Sequence, residues 1–268
     1  MPVVDSHCHA SGRWYEPVDT LLFNMDKHGV DRAILVQLLG STDSADMIAA
    51  CRAHPGRFHF IAAIDPAHPD VPGEIERAAQ AGAAGLRMRA GWRSAEGDPL
   101  ALWRAVEQAG LRVSMVGPAA SFTDGKLEEI AAACPRLEIM LEHMGGLARP
   151  DVGGREAALP LVCDLARLPN LSVKLTGLGQ LAPRRADMDA DSDRTAIPLD
   201  MTGILPLFDA IFRVFSPERT LWGSDFPPVA AREGYGNALN WSRDFIAEHW
   251  PDAVAPCFGG AAQRLFGG

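Results

Sequence analysis

The chain's first apolar run, Val3-Val4-Asp5-Ser6-His7-Cys8-His9, ends in two histidines two positions apart. Side chains alternate faces along a strand, so His7 and His9 share one face while Ser6 and Cys8 take the other. Two imidazoles aimed the same way can hold a metal, polarise a carbonyl or bind an anion. A strand that merely ends in polar residues is the plain alternative. Four later apolar runs have the same form: one carries Arg87 and Arg89, one ends in His143, one carries Lys174 and one ends in Asp225. Each of these residues also has an ordinary reading. Asp225 could cap the next helix, and His143 could be a satisfied core histidine. Arg87 or Arg89 could pair with an acid such as Glu142. Cys8, facing away from His9, reads as a small buried hydrophobe. His28, His54, His59, His68 and His249 fall on helices, at strand starts or in loops, and read as structural or solvated.

These residues need a scaffold that brings strand ends together. Hydrophobic periodicity predicts strands over 3–9, 31–37, 57–64, 84–89, 111–116, 137–143, 171–176 and 219–225. It predicts helices between them over 17–28, 43–53, 72–81, 99–109, 124–133, 155–167 and 201–215, then 238–249 and 252–265. Nearly continuous apolar strands alternating with helices imply a parallel sheet covered by helices. Eight such units in 268 residues predict a single-domain (β/α)8 barrel over 1–268. An open dinucleotide-binding sheet is disfavoured, because no glycine-rich turn follows the first strand. In a barrel the C-terminal strand ends form one mouth, which would gather His7, His9, Arg87, Arg89, His143, Lys174 and Asp225. Loops 11–17, 91–98, 146–155 and 180–200 would then set substrate choice. Trp14, Tyr15, Trp92 and Arg93 could shape the pocket or simply pack.

Composition narrows the partners. A formal net charge of −9 argues against nucleic acid, which needs a basic patch, but not against a small anion held by a few arginines. Five scattered cysteines without a C-x-x-C pair argue against a disulfide framework and a four-cysteine zinc site. The chain shows no signal core and no apolar stretch of membrane-spanning length, so a cytoplasmic protein with a small-molecule substrate is expected. Oligomeric state, a homo-oligomer included, is not legible.

Asp5-Ser6-His7-Cys8-His9, Leu141-Glu142-His143-Met144-Gly145-Gly146, Val173-Lys174-Leu175-Thr176-Gly177 and Trp222-Gly223-Ser224-Asp225-Phe226-Pro227, with the ending Ala262-Gln263-Arg264-Leu265-Phe266, resemble the amidohydrolase superfamily. The likeness spans the whole chain and is closest to its lactonase branch, that of 2-pyrone-4,6-dicarboxylate lactonase and sugar lactonases. Metal-dependent members commonly add a histidine from strand five, and binuclear ones a lysine or glutamate from strand four. Strand five here has no histidine and strand four offers arginines, so the resemblance implies catalysis with no cofactor required. Zinc or manganese on His7, His9 and Asp225 is the alternative, in a metal-dependent hydrolase or decarboxylase.

The implied chemistry is opening of a lactone ring. Asp225 would act as general base on a water, since a carboxylate at its reference pKa is ionised at neutral pH. His7, His9 and His143 would stabilise the oxyanion. Arg87 or Arg89 would hold the acidic group of a substrate from aromatic-ring or sugar catabolism in a guanidinium fork, with Lys174 either joining in substrate binding or, as the resemblance implies for lysines at that place, supporting the site through hydrogen bonds. A catalytically inactive small-acid-binding barrel is the third reading.

Overall fold

The computed structural model describes residues 1–13, 15–148, 154–177, 204–231 and 233–267. Strand and helix alternate throughout: β1 (Val4–Cys8), α1 (Val18–His28), β2 (Arg32–Val36), α2 (Ala45–Ala53), β3 (Phe58–Ala62), α3 (Val71–Gln80), β4 (Gly85–Met88), α4 (Ala101–Gln108) and β5 (Arg112–Met115). Next come α5 (Lys126–Ala133), β6 (Ile139–Leu141), α6 (Arg155–Asp164), β7 (Leu171–Leu175), α7 (Leu205–Phe215), β8 (Thr220–Trp222), α8 (Tyr235–His249) and α9 (Ala261–Phe266). The eight strands pair in parallel in sequence order. An isolated parallel bridge between Cys8 and Phe226 joins the last strand to the first. The Asp225 N–H donates to the His7 carbonyl at 2.9 Å and the His9 N–H to the Phe226 carbonyl at 2.8 Å. The fold is therefore the expected (β/α)8 barrel.

Local chemistry accounts for the elements. α1 stops at Gly29, whose φ of 69° is left-handed and whose N–H caps the Met25 carbonyl. α3 starts at Asp70, whose carboxylate accepts from the Gly73 N–H at 3.0 Å. α7 buries Leu207, Phe208, Ile211, Phe212 and Phe215, a stripe with the period of one helix face.

The barrel interior is layered. Val4, Ile34, Val36, Ile61, Met140 and Leu221 form an apolar cluster with Ala261, Ala262 and Leu265 of α9, which packs against the floor. The larger cluster lies between the strands and the helices. Above the floor the interior turns polar: His7, Arg87, Ser114, Glu142 and Lys174 are all buried.

Three stretches differ from expectation. β6 ends at Leu141 and β8 at Trp222, short of His143 and Asp225, because His143, Met144 and Asp225 adopt left-handed φ values of 52°, 57° and 60° and leave the extended region. The predicted helix 252–265 forms over 254–266, after a 3-10 turn at Pro251–Ala253, and widens to a π stretch at Pro256–Gly260 in which Gly260 keeps helical angles. α8 begins earlier than expected, at Tyr235. The predicted loop 180–200, Trp14, residues 149–153 of the loop 146–155 and residues 201–203 of a predicted helix lie outside the described residues. Among those described, no helix is long and apolar enough to cross a membrane.

Candidate active site

β1 delivers the two histidines, though not by simple alternation. Its register against β2 shifts between Asp5 and Cys8, a bulge that inserts one residue beside His7 and re-aims the end of the strand. Asp5, fully buried, anchors this segment. One carboxylate oxygen accepts from the N–H groups of His7 at 3.1 Å and Ser224 at 2.9 Å, and the other from the Tyr235 hydroxyl at 3.0 Å. The end of β1 is thereby tied to the turn that carries Asp225. Gly223 makes that approach possible: a Cβ there would lie 2.8 Å from His7 Cβ and 2.7 Å from Thr176 Cγ2.

Asp225 Oδ1 lies 3.8 Å from His7 Nε2 and 3.8 Å from His9 Nε2. The His7 and His9 rings meet edge to face at 5.0 Å, and His143 approaches His7 at 5.4 Å. The His143 N–H donates to Thr176 Oγ1 at 3.1 Å, and that oxygen shares a second hydrogen bond with His143 Nδ1 at 3.0 Å. Left-handed backbone at His143, Met144 and Asp225 costs about 1–3 kcal/mol each and clusters where side chains are being aimed. His7, His9, His143 and Asp225, four residues singled out in the sequence, thus come together.

The other three separate. Arg87 is buried and forks Glu142, Nε donating to Oε1 at 3.0 Å and one terminal nitrogen to Oε2 at 2.7 Å; the other donates to the Gln37 carbonyl at 3.2 Å. Its nitrogens are thus taken by the protein. Lys174 is fully buried behind His7, its Nζ donating to Ser114 Oγ at 2.8 Å and lying 3.3 Å from His7 Nδ1. The Ser114 hydroxyl donates to Glu142 Oε1 at 2.7 Å. Apart from the Ser114–Glu142 bond between neighbouring β5 and β6, these contacts join non-neighbouring strands, so the network spans the barrel interior. Arg89, one position past β4, is exposed and makes no side-chain hydrogen bond or ion pair among the described residues.

Ser114 was missed in the sequence, although it is the lone hydroxyl of an otherwise apolar strand run apart from its first turn. Tyr15 stacks on His9 with ring centroids 5.2 Å apart and planes at 24°.

Burial sets the charge states. Desolvation would raise Glu142, but the charges of Arg87 and Lys174 outweigh it and hold the carboxyl at about 2. Desolvation lowers Lys174 to about 8, which leaves it an ammonium at neutral pH. Desolvation, then the Lys174 charge, pushes His7 well below its ordinary range, and desolvation also lowers His143.

The two neighbouring histidines consequently differ in polarity. A carbonyl only accepts, so the 2.6 Å contact between His9 Nδ1 and the Val36 carbonyl puts a proton on Nδ1, and Nε2 is the nitrogen that bears the lone pair whenever the ring is uncharged. An ammonium only donates, so His7 Nδ1 accepts from Lys174 and the neutral ring carries its proton on Nε2. His7 Nε2 is buried and has no hydrogen-bond partner among the described residues.

Two sets come close enough to share an ion: His7, His9 and Asp225, and His7, Glu142 and His143. As its ring is held by Lys174, His7 presents a proton to the first set, and an ion there would have to displace it. In the second, Glu142 is already engaged by Arg87 and Ser114.

The geometry can be set beside known proteins. Over 138 residues the chain is 31% identical to an L-fucono-1,5-lactonase of Burkholderia ambifaria, a match covering 49% of this chain and 42% of that protein. The matched stretch is thus less than half that relative's length. A zinc-bound amidohydrolase structure from Burkholderia multivorans superposes with a TM-score of 0.76 at 18% identity, covering 99% of both chains. The structure of a probable 2-pyrone-4,6-dicarboxylic acid hydrolase from Acinetobacter baumannii, with citric acid bound, does so with a TM-score of 0.75 at 17% identity over 100% of both. At such identities the superpositions show the shared fold alone. The amidohydrolase family model matches residues 4–268, and with it the barrel, the paired histidines of β1 and the aspartate after β8 are accounted for together: the chain belongs to the amidohydrolase family.

Proposed function

We propose that this enzyme opens the ring of a small acidic lactone, with Asp225 as general base and no metal ion required. One observation carries the reading: a single carboxylate stands 3.8 Å from two imidazole nitrogens whose rings are held from behind by opposite partners, a lysine and a backbone carbonyl. That is the inventory ester hydrolysis needs, a base with a water-orienting acceptor on one side and an electrophile on the other.

In this mechanism a water bridges Asp225 and His9 Nε2. It gives its proton to Asp225 as its oxygen attacks the lactone carbonyl carbon. The His7 Nε2 proton and His143 face the carbonyl oxygen and stabilise the charge that develops there. Collapse breaks the ring C–O bond, and the proton held on Asp225 passes to the departing ring oxygen. The product is a hydroxy acid, and the carboxylate is restored.

Arg89 would take the substrate's acidic group in a bidentate contact at the mouth. Arg87 and Lys174 act from within the wall. The lactonase named among the relatives supports the reaction class; the barrel fold by itself supports no one chemistry over another.

A panel of acidic and neutral lactones, run beside aromatic carboxylic acids as decarboxylation substrates, tests the reading. Acidic lactones should be hydrolysed, and Asp225→Asn should lower kcat by about 10³-fold. Full activity in that variant, or loss of carbon dioxide from an acid with no lactone opened, contradicts it.

A further inference from the structure

His7 has three protonation states open to it: a proton on Nε2, a proton on Nδ1, or one on each. Five charged or titratable groups surround it: Lys174 on β7, Arg87 on β4, His9 after β1, His143 after β6 and Asp225 after β8. Asp225, 3.8 Å from Nε2, would favour a doubly protonated ring, because an imidazolium there closes an ion pair with the carboxylate. Such a pair would hold the proposed base in place of water. Burial of the ring and the charges of its basic neighbours oppose it, but only the contact on the other side of the ring also decides which nitrogen keeps the proton. Lys174 Nζ stands 3.3 Å from Nδ1, inside a fully buried pocket where it also donates to Ser114, whose hydroxyl is turned to Glu142.

We propose that Lys174 is a positioning residue that confines His7 to the single state with its proton on Nε2, and so keeps His7 from pairing with Asp225. A ring nitrogen that accepts from an ammonium has no room for a proton of its own. Both the imidazolium and the Nδ1-protonated ring are thereby excluded. The lowered proton affinity of Lys174 and of His7 agrees with two basic groups pressed together, though the hydrogen-bond geometry makes the case without it. Glu142 anchors the ammonium through Ser114 and is itself fixed by the Arg87 fork. Lys174 thus acts on the reaction through His7, without touching substrate. Its effect on turnover rests on the lactonase reading, whereas the position of the His7 proton does not.

The test reads that proton directly. Protein labelled with ¹⁵N in its histidine rings is examined by NMR at neutral pH, with the His7 signals identified by their absence in His7→Phe. Wild-type protein should show a protonated Nε2 and an unprotonated Nδ1. In Lys174→Met the His7 ring should leave that state, with a proton on Nδ1 or on both nitrogens, and kcat on a lactone substrate should fall about 10²-fold with KM little changed, the scale of a lost base or oxyanion donor. A wild-type ring protonated on Nδ1 or on both nitrogens overturns the inference whether or not Lys174→Met folds. So does a folded Lys174→Met protein with the wild-type ring state. If the wild-type ring is as expected but no lactone is hydrolysed, the lactonase reading fails and the assignment of Lys174 stands.

Discussion

His7 and His9 stand two residues apart on one strand, face the same carboxylate at the same distance, and are wired in opposite senses. The wall behind His7 is a buried ionic layer running from Arg87 through Glu142 and Ser114 to Lys174. The wall behind His9 is a neutral backbone carbonyl on β2, with Tyr15 stacked over the ring. In the proposed mechanism the first wall pushes a proton out toward the cavity and the second draws one in, so that one residue type would supply both polarities of an ester hydrolase, the difference lying in what sits behind each ring.

Substitutions at either ring, and in the wall behind His7, put this contrast at risk. The largest effect on rate should come from His7→Phe, which removes the donor and should lower kcat by about 10²–10³-fold. His9→Phe removes only a water-orienting acceptor and should cost about tenfold. Steady-state kinetics on the same lactone compares the two, and the reverse ranking would mean that the polarities are misassigned.

Glu142→Gln should act mainly on stability. It leaves Arg87 and Lys174 uncompensated in the interior, at about 3–5 kcal/mol, read from denaturant unfolding. The same carboxyl predicts a pH effect. Its folded value of about 2 lies below the ordinary 4.5, so its contribution is fully present above about 4.5 and is lost as pH falls toward 2. Wild-type protein should weaken over that acid window, and Glu142→Gln should weaken less steeply. Equal slopes would contradict the assignment of Glu142 as a paired carboxylate.

The sequence and the structure agree where the physics is local. Apolar runs punctuated by Gly29, Gly82 and Gly110 mark where helices end and strands begin, so the eightfold alternation is readable. His7, His9, His143 and Asp225 are readable because a barrel sends its strand ends to one rim. What could not be read is the partner of each polar group inside the barrel. Arg87 and Arg89 are alike in sequence, yet one is consumed by Glu142, 55 positions away, and the other stays exposed. Lys174 reads equally as a substrate ligand or as a support for the site until Ser114 and His7 are seen to enclose it. Alternation along β1 overlooks the bulge beside His7, and helical periodicity over 252–265 does not register the π stretch at Pro256–Gly260. Short hydrogen bonds between distant strands leave no periodic trace.

In the proposed mechanism an imidazole proton, held outward by a buried lysine, does the work a metal would otherwise do beside Asp225. The most direct measurement is the lactone hydrolysis rate of protein stripped by chelation and verified free of zinc and manganese by elemental analysis. The same kcat is expected before and after stripping. A rate that collapses on stripping and returns with zinc or manganese would contradict the mechanism.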